Sequence, residues 1–186
     1  MEQTTTTEAA PTLFKHALRW AIIMGVVSIL YTIILYVIDY TLMVQLKMLF
    51  IALALYFGIA IYGGIDYRKS VGGFLSYGKA WQHAMIVFAI SALISTLFNL
   101  LFYNVIDSEL PAKLTEASME NTRQMMANFG APEDQIDKAM ADAKTRTEGQ
   151  FTPIGMAKGY LFILVVSAVM AAISSIFVKK NEPVEM

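Results

Sequence analysis

The fold is decided by the stretch from Asp107 to Pro153, whose sequence is DSELPAKLTEASMENTRQMMANFGAPEDQIDKAMADAKTRTEGQFTP. It is the only long polar segment that lies between two strongly apolar runs of the chain. Apolar residues recurring at spacings of three and four predict a first helix from about Ser108 to Asn128. Gly130 can end that helix in the left-handed conformation, and Pro132 suits the first turn of a second helix. The stretch therefore predicts a helical hairpin over residues 107–153.

The apolar side chains of this hairpin are expected to meet each other. Ile136 and Met140 recur on one face of the second helix, and we expect Leu114, Met125 and Phe129 of the first helix to face them or the outer ends of the spans. Two roles are open for this apolar stripe. It can pack within the hairpin or against the membrane surface, or it can serve as a docking face for another protein.

Three apolar runs precede the hairpin and a fourth follows it, at about residues 20–38, 48–65, 84–106 and 159–178. A helix of about 20 apolar residues is long enough to cross a bilayer. Backbone groups in hydrocarbon have to be satisfied within their own segment, so each run is predicted to be a helix. The predicted fold class is an all-α integral membrane protein with four transmembrane helices and a helical hairpin inserted between spans three and four. Residues 1–12 are expected to form a disordered polar tail, and residues 13–186 a single membrane domain.

The composition agrees with a membrane protein and excludes several other classes. Hydrophobic residues make up 56% of the chain and charged residues 16%, which departs from soluble averages in the membrane direction. A net charge of -1 argues against nucleic acid as a partner, because that would require a basic patch. The absence of cysteine excludes disulfides and thiolate chemistry. The predicted surroundings are a lipid bilayer, and no cofactor is expected.

Small and polar residues in the last two spans are candidates for helix packing, since small residues let helices approach closely in lipid. In the fourth span Gly155 and Gly159 have GxxxG spacing, and later small residues are expected to continue the same face. In the third span Asn99 is the most polar residue, so it is either an interhelical hydrogen-bonding group or a functional group within the membrane. The complete candidate set is Ser91, Ser95, Asn99, Gly155, Gly159, Ser167, Ala171 and Ser175.

The sequence gives little support for catalysis. His16 and His83 are predicted to lie on the same side of the membrane, but without a nearby carboxylate cluster they form a poor zinc site, so interfacial placement is favoured. No HExxH, GxSxG or P-loop motif is present. Asp39 and Asp107 end the first and third spans, where they can be solvated caps or a pair of carboxylates for acid–base work or cation binding. We therefore expect neither an enzyme nor a metal site.

A glycine-rich loop follows the second span, with glycines and aromatic residues at the membrane boundary. Gly72, Gly73 and Gly78 are expected to serve backbone geometry at this interface, and Ser76 can cap the next helix. The motif, GGFLSYGKA, resembles the GG-aromatic-x-S-aromatic-G motif of a bacterial membrane-protein family known only as a domain of unknown function, numbered forty-one ninety-nine. The resemblance extends through ISTLF at residues 94–98 to GAPEDQI at residues 130–136. It implies an inner-membrane protein with four spans, of a kind seen mainly in Bacteroidetes, and it carries no activity to transfer.

Two functional hypotheses follow. The first is a non-enzymatic membrane protein that associates with itself or with another membrane protein. The second is a small transporter or channel subunit that forms a pore as an oligomer. Basic residues flanking the first span and the short loop, among them Lys15, Arg19 and Arg68, predict a bacterial inner-membrane protein with both termini in the cytoplasm and the hairpin outside.

Overall fold

The computed structural model describes residues 11–182, apart from the side chains at positions 142, 145 and 146. Within this range the chain forms six α-helices: α1 Leu13–Asp39, α2 Leu46–Ser70, α3 Tyr77–Leu101, α4 Leu110–Asn128, α5 Glu133–Gln150 and α6 Pro153–Val178. A 3-10 turn, Tyr40–Val44, follows α1, and a π-helical turn, Phe102–Ile106, follows α3. Residues 1–10 of the predicted polar tail lie outside the described residues.

Four of the helices, α1, α2, α3 and α6, are long and apolar enough to cross a membrane. The predicted all-α membrane fold with four spans is thereby confirmed. The helices extend past the predicted runs, and α1 begins at Leu13, where the Thr12 hydroxyl accepts a hydrogen bond from the Lys15 amide at 3.4 Å. The reason is that an apolar run ends at the first charged residue, whereas a helix continues into the headgroup region, where charges are solvated.

The four spans pack around α3, which lies against both α1 and α6. The side chains buried at their centre are mostly small, among them Ala17, Ala60, Ala84 and Ala171. Small side chains allow close approach of helices in a membrane, where lipid provides no hydrophobic drive for helix association. Two neighbouring glycines of α2 extend this packing: a Cβ at Gly63 would lie 2.8 Å from the Trp20 ring, and a Cβ at Gly64 would lie 2.8 Å from Val178.

The α4 and α5 helices follow one another between the third and fourth spans and pack against each other. Gly130 between them has a φ of +76°, the left-handed conformation expected at the end of α4. Leu110 and Leu114 are fully buried, and the cluster around them includes Phe102. The inner end of α4 is therefore fixed to the ends of the spans.

The outer end of α4 does not pack as the sequence suggested. Met125 is 50% exposed and Phe129 is 85% exposed, so neither is buried against α5, where Ile136 is the buried residue. The reason is that α4 turns its Leu114 face toward Tyr36, Met43 and Phe98 at the ends of the spans, which leaves its outer part without an apolar partner.

Candidate functional site

Polar side chains from three spans meet at one end of the bundle, which we call the loop end. It comprises the N-terminal ends of α1 and α3 and the C-terminal ends of α2 and α6. His16 Nδ1 of α1 lies 3.0 Å from His83 Nε2 of α3, and His16 Nε2 lies 3.1 Å from Asp66 Oδ2 of α2. The three side chains form a hydrogen-bonded chain, named here the histidine chain. Both imidazoles are buried, whereas the Asp66 side chain is 44% exposed.

The chemistry of the three groups fixes where the protons lie. A carboxylate only accepts, so His16 Nε2–H donates to Asp66. If His16 is neutral, its Nδ1 accepts from His83 Nε2–H, and His83 Nδ1 is left as a bare acceptor. This nitrogen is buried and has no hydrogen-bond partner among the described residues. The histidine chain thus ends in a buried acceptor nitrogen with an open lone pair.

A proton that bound at His83 Nδ1 could move through the histidine chain without displacing a ring. The proton on His83 Nε2 would pass to His16 Nδ1, and the positive charge would then lie on His16, beside Asp66. The result is an ion pair between His16 and Asp66 in which every hydrogen bond is kept. A proton that reached His83 Nδ1 could therefore be held within the histidine chain as a His16–Asp66 ion pair.

Aromatic side chains hold the histidine chain in place. The Tyr67 ring stacks on His83, with centroids 5.2 Å apart and an interplanar angle of 12°. The Trp20 Nε1–H donates to Asp66 Oδ2 at 3.2 Å. Gly63 of α2 leaves space for the Trp20 ring, because any side chain at this position would overlap the ring. Asp66 therefore accepts from two donors that both belong to α1.

The sequence predicted both histidines at the membrane interface, and both lie in the first turns of their helices. It placed His16 before the first span, found no cluster of carboxylates, and did not predict that the two rings contact each other and Asp66. In the structure α1 begins earlier, so His16 belongs to its first turns and turns inward, and Asp66 lies next to it. One feature of the sequence could have indicated the contact. His16, Asp66 and His83 all belong to span ends on the same predicted side of the membrane.

The glycine-rich loop lies at the same end as the histidine chain. Gly72 and Gly73 have φ values of +96° and +87°, which L-residues rarely adopt, so both positions require glycine. Gly78 lies in the first turn of α3 with open space around it. Ser76 occupies the N-cap position of α3, but its side chain forms no capping hydrogen bond. Its expected side-chain cap is therefore absent.

The loop is joined to the segment after the fourth span. Leu75 and Lys180 exchange two backbone hydrogen bonds, of 2.8 Å and 2.9 Å. The Arg68 guanidinium donates to the Val178 carbonyl at 2.8 Å. These bonds place the ends of α2, α3 and α6 at fixed positions around the histidine chain.

The packing candidates of α3 lie along its contact with α1. The Ser95 hydroxyl is 2.7 Å from that of Ser28, and Ser91 lies 3.1 Å from the Met24 sulfur. Asn99, one turn further along, does not form the expected interhelical hydrogen bond, because its Oδ1 is buried without a partner among the described residues. Asn99 also contributes to the lining of a cleft between α3 and α6.

The candidates of α6 do not share one face. Ser167, Ala171 and Ser175 are buried among the spans. Gly159 has no other atom within 4 Å of the place where a Cβ would be, and the carbonyl of Gly149 occupies the corresponding place at Gly155. Four residues of a helix turn by about 400°, which is about 40° more than a full turn. Residues spaced by four therefore move gradually around the helix, and after five such steps they lie on its opposite side.

Asp39 and Asp107 both accept backbone hydrogen bonds beyond the ends of their spans. Asp39 accepts from the Thr41 amide, and Asp107 accepts from the amides of Glu109 and Leu110. The Tyr36 hydroxyl also donates to Asp107 at 2.9 Å, and this bond is the main cause that lowers the pKa of the Asp107 carboxyl. The geometry of both carboxylates is that of caps.

The residues that the structure describes contain no group of three or more His, Asp or Glu side chains arranged to hold a metal ion. Four apolar helices around a polar cluster of hydrogen bonds define the class as a multi-pass integral membrane protein. The chain belongs to the family described as protein of unknown function (DUF4199), whose model matches residues 19–180. The match spans the glycine-rich loop and all of α2 to α6. No curated protein and no solved structure matches the chain.

Proposed function

We propose that this membrane protein catalyses no reaction and acts by associating, through the α4–α5 hairpin, with a second copy or with another membrane protein. The observation that carries the proposal is the contrast between the two ends of α4. Its inner end is fixed by two fully buried leucines, Leu110 and Leu114, whereas Phe129 at its outer end is 85% exposed. An apolar ring held on a fixed element is a suitable anchor for a partner.

The position of Phe129 distinguishes it from the other exposed apolar side chains. Most of those lie on α1, α2, α3 and α6, where lipid covers them. The hairpin helices, in contrast, are polar over most of their surface, and Arg123 and Asp137 form an ion pair of 3.9 Å across them. Phe129 and the neighbouring Met125 therefore form an apolar patch within a polar element, and aromatic residues and Met are enriched where proteins bind each other.

Cross-linking in native membranes tests the association. The chain has no cysteine, so Asn128→Cys, at an exposed position beside Phe129, introduces a single thiol and keeps the ring. A maleimide that carries a photoreactive group should join this variant to a second copy, which doubles its mass, or to one other membrane protein of defined mass. Lys138→Cys, at an exposed position of α5, is the matched control and should give much less product. Equal yields at the two positions, or no product at Asn128→Cys, would contradict the proposal.

The orientation is part of the proposal: an inner-membrane protein with its loop end in the cytoplasm and the hairpin outside. It is supported by the basic residues at the loop end, including Lys15, Arg19 and Lys79. A membrane-impermeant maleimide should label Phe129→Cys in intact cells from which the outer membrane has been removed. Ser76→Cys, exposed at the loop end, should react only after permeabilisation. The reverse pattern would invert the topology.

A second candidate function is that of a small transporter or channel subunit, and the histidine chain is the observation that favours it. Its open His83 Nδ1 can take up a proton, and ionisable groups in spans commonly mark proton or ion pathways. Proteoliposomes containing the protein should then acidify in response to a pH gradient, and His83→Gln should stop the flux. Proton flux equal to that of empty liposomes would remove this candidate.

A further inference from the structure

The protein has two histidines, and both belong to the histidine chain at the loop end. His16 is 7% exposed and His83 is fully buried. Their ring centroids are 5.2 Å apart, and the contact joins the first turns of α1 to those of α3. A hydrogen bond between two imidazole nitrogens holds one proton, because the nitrogen that donates needs a bare nitrogen as its acceptor. The number of protons on this histidine pair therefore decides whether the contact can form.

The groups that act on the two rings belong to one helix. Asp66 of α2 contacts His16, and the Tyr67 ring of the same helix stacks on His83. The buried residues of α6 are uncharged, and the Arg68 guanidinium donates to a backbone carbonyl at the end of that helix. The remaining charged residues of the loop end are exposed: Lys15, Arg19, Lys69, Lys79, Lys179, Lys180 and Glu182. Among the described residues, Asp66 is thus the one charge that compensates a positive imidazole.

The histidine pair can hold one added proton, but not two, while the rings are in contact. The first added proton gives the ion pair between His16 and Asp66, so the three side chains together carry no net charge. A second proton would place an N–H on both facing nitrogens, His16 Nδ1 and His83 Nε2, which are 3.0 Å apart. Neither nitrogen could then accept, and two buried positive rings would share one carboxylate. The rings therefore have to separate before the second proton is bound.

We propose that the histidine pair is a pH-sensitive switch, which holds the first turns of α1 against α3 and releases them when both rings are protonated. Deeper in the bundle the same two helices meet through Ser28 and Ser95, whose hydroxyls are 2.7 Å apart and carry no charge in either state. Acid therefore opens the loop end locally and leaves the rest of the contact between α1 and α3 in place. The switch requires neither proton flux through the protein nor a partner at the hairpin, so it is independent of both proposed functions.

Distance measurements between spin labels test the opening of the loop end. The chain has no cysteine, so Phe14→Cys in α1 and Ser76→Cys before α3 place one label on each helix, at exposed positions and without a change of charge. In lipid nanodiscs, lowering the pH from about 7.5 to about 4.5 covers the ordinary titration range of imidazoles. A longer distance should appear over this range and become the major component at its acidic end. Ile38→Cys and Val105→Cys, at the hairpin ends of the same two spans, are the matched control pair and should keep one distance.

Nitrogen-15 NMR counts the protons on the histidine pair directly, because ring labelling of histidine gives signals from these two side chains alone. Bare and protonated ring nitrogens have well-separated chemical shifts. The last bare nitrogen should become protonated over the same pH range in which the longer distance appears. Protonation of that nitrogen while the distance between the labels stays short would contradict the switch.

Glutamine in place of either histidine should remove the pH dependence. A glutamine amide both donates and accepts, so it can turn to bond the remaining ring in either of the protonation states of that ring. His83→Gln should therefore keep the short distance from about pH 7.5 to about pH 4.5. His16→Gln should do the same, since its amide can donate to Asp66 and accept from His83. Asp66 is unchanged in both variants, so they separate the effect of the histidine pair from titration of the carboxylate.

Several results would overturn the inference. They include a single distance in the wild type throughout the pH range. Opening of a glutamine variant over the same range as the wild type would assign the effect to another titrating group. Equal lengthening in the control pair would mean that acid unfolds the bundle as a whole. Loss of the short distance at about pH 7.5 in both glutamine variants would contradict the donor and acceptor roles on which the switch depends.

Discussion

The two ends of the membrane bundle differ in how much hydrogen bonds contribute to holding them together. At the loop end an apolar cluster around Tyr67 and Val178 is joined by hydrogen bonds between elements: the histidine chain, the Leu75–Lys180 backbone pair and the bond from Arg68 to Val178. At the hairpin end the contacts come mainly from the apolar cluster around Leu110 and Leu114. Hydrogen bonds require particular distances and angles, whereas apolar contacts tolerate adjustment. The loop end is therefore the more exactly defined region, and the outer part of the hairpin leaves Met125 and Phe129 exposed.

The largest effect is expected at the base of the hairpin. Leu114→Ala removes a side chain that is only 1% exposed, and it should weaken the attachment of α4 by about 3 kcal/mol. Hydrogen exchange should then become faster throughout α4 and α5, while α1 to α3 keep their protection. Met125→Ala, at a residue that is 50% exposed, is the control and should change the exchange rates of α4 and α5 little. Faster exchange at the loop end as well would mean that the two ends are not independent.

The next effect concerns the histidine chain. Asp66→Ala leaves the N–H groups of His16 and Trp20 without their acceptor, which should cost roughly 2 kcal/mol. Water at this partly exposed position reduces the loss. The free energy of unfolding in mixed detergent, followed by tryptophan fluorescence, measures it. Asp66→Asn keeps an acceptor oxygen and should recover about half of the stability. An unchanged stability in Asp66→Ala would show that the loop end does not depend on these bonds.

A smaller effect is expected in the glycine-rich loop. Gly73→Ala places a Cβ on a residue with a φ of +87° and should cost about 1 kcal/mol. The space around it is open, so the loss is due to the backbone alone. Gly78→Ala, within the first turn of α3, is the control and should be neutral or slightly stabilising. If the two variants unfold alike, the backbone geometry of the loop is not what requires glycine.

The smallest effect is a pH dependence at the hairpin end. The hydrogen bond from Tyr36 is the main cause that lowers the pKa of Asp107 below its ordinary value of 3.8, and the Lys113 ammonium lowers it further. The stability from the Asp107 carboxylate is therefore complete above the ordinary pKa and is lost as the pH falls through the lower folded value. Tyr36→Phe should reduce the loss of stability between about pH 5 and pH 2. Tyr40→Phe, nearby on the same side, should leave it unchanged.

The sequence was sufficient for the four spans because their signal is local. A run of uncharged residues of sufficient length predicts a span whatever its neighbours are. The left-handed turn at Gly130 was similarly evident from the chain. The histidine chain could not be predicted in this way, since it depends on the rotation of three helices about their axes, which determines whether His16 faces Asp66 or lipid.

The same reason explains two further differences. Gly159 was assigned to the face of Ala171 by counting in fours, and the accumulated rotation separates the two positions. Leu114 packs at the ends of the spans, one of its two predicted partners, whereas Phe129 of the same stripe contacts neither these ends nor α5 and is exposed. In each case a periodic pattern predicted the helix correctly and placed one of its residues on the wrong face. Which partner a face meets is a property of the assembled bundle.

The two backbone hydrogen bonds between Leu75 and Lys180 also determine when the loop end can be completed during biosynthesis. Lys180 leaves the ribosome after every span has been made, yet its backbone bonds fix the loop between the second and third spans. Until then, the main-chain N–H and C=O of Leu75 that are paired in the finished structure have only water or lipid headgroups as partners. The loop end of a nascent chain is therefore incomplete after three spans, and the segment beyond α6 completes it last.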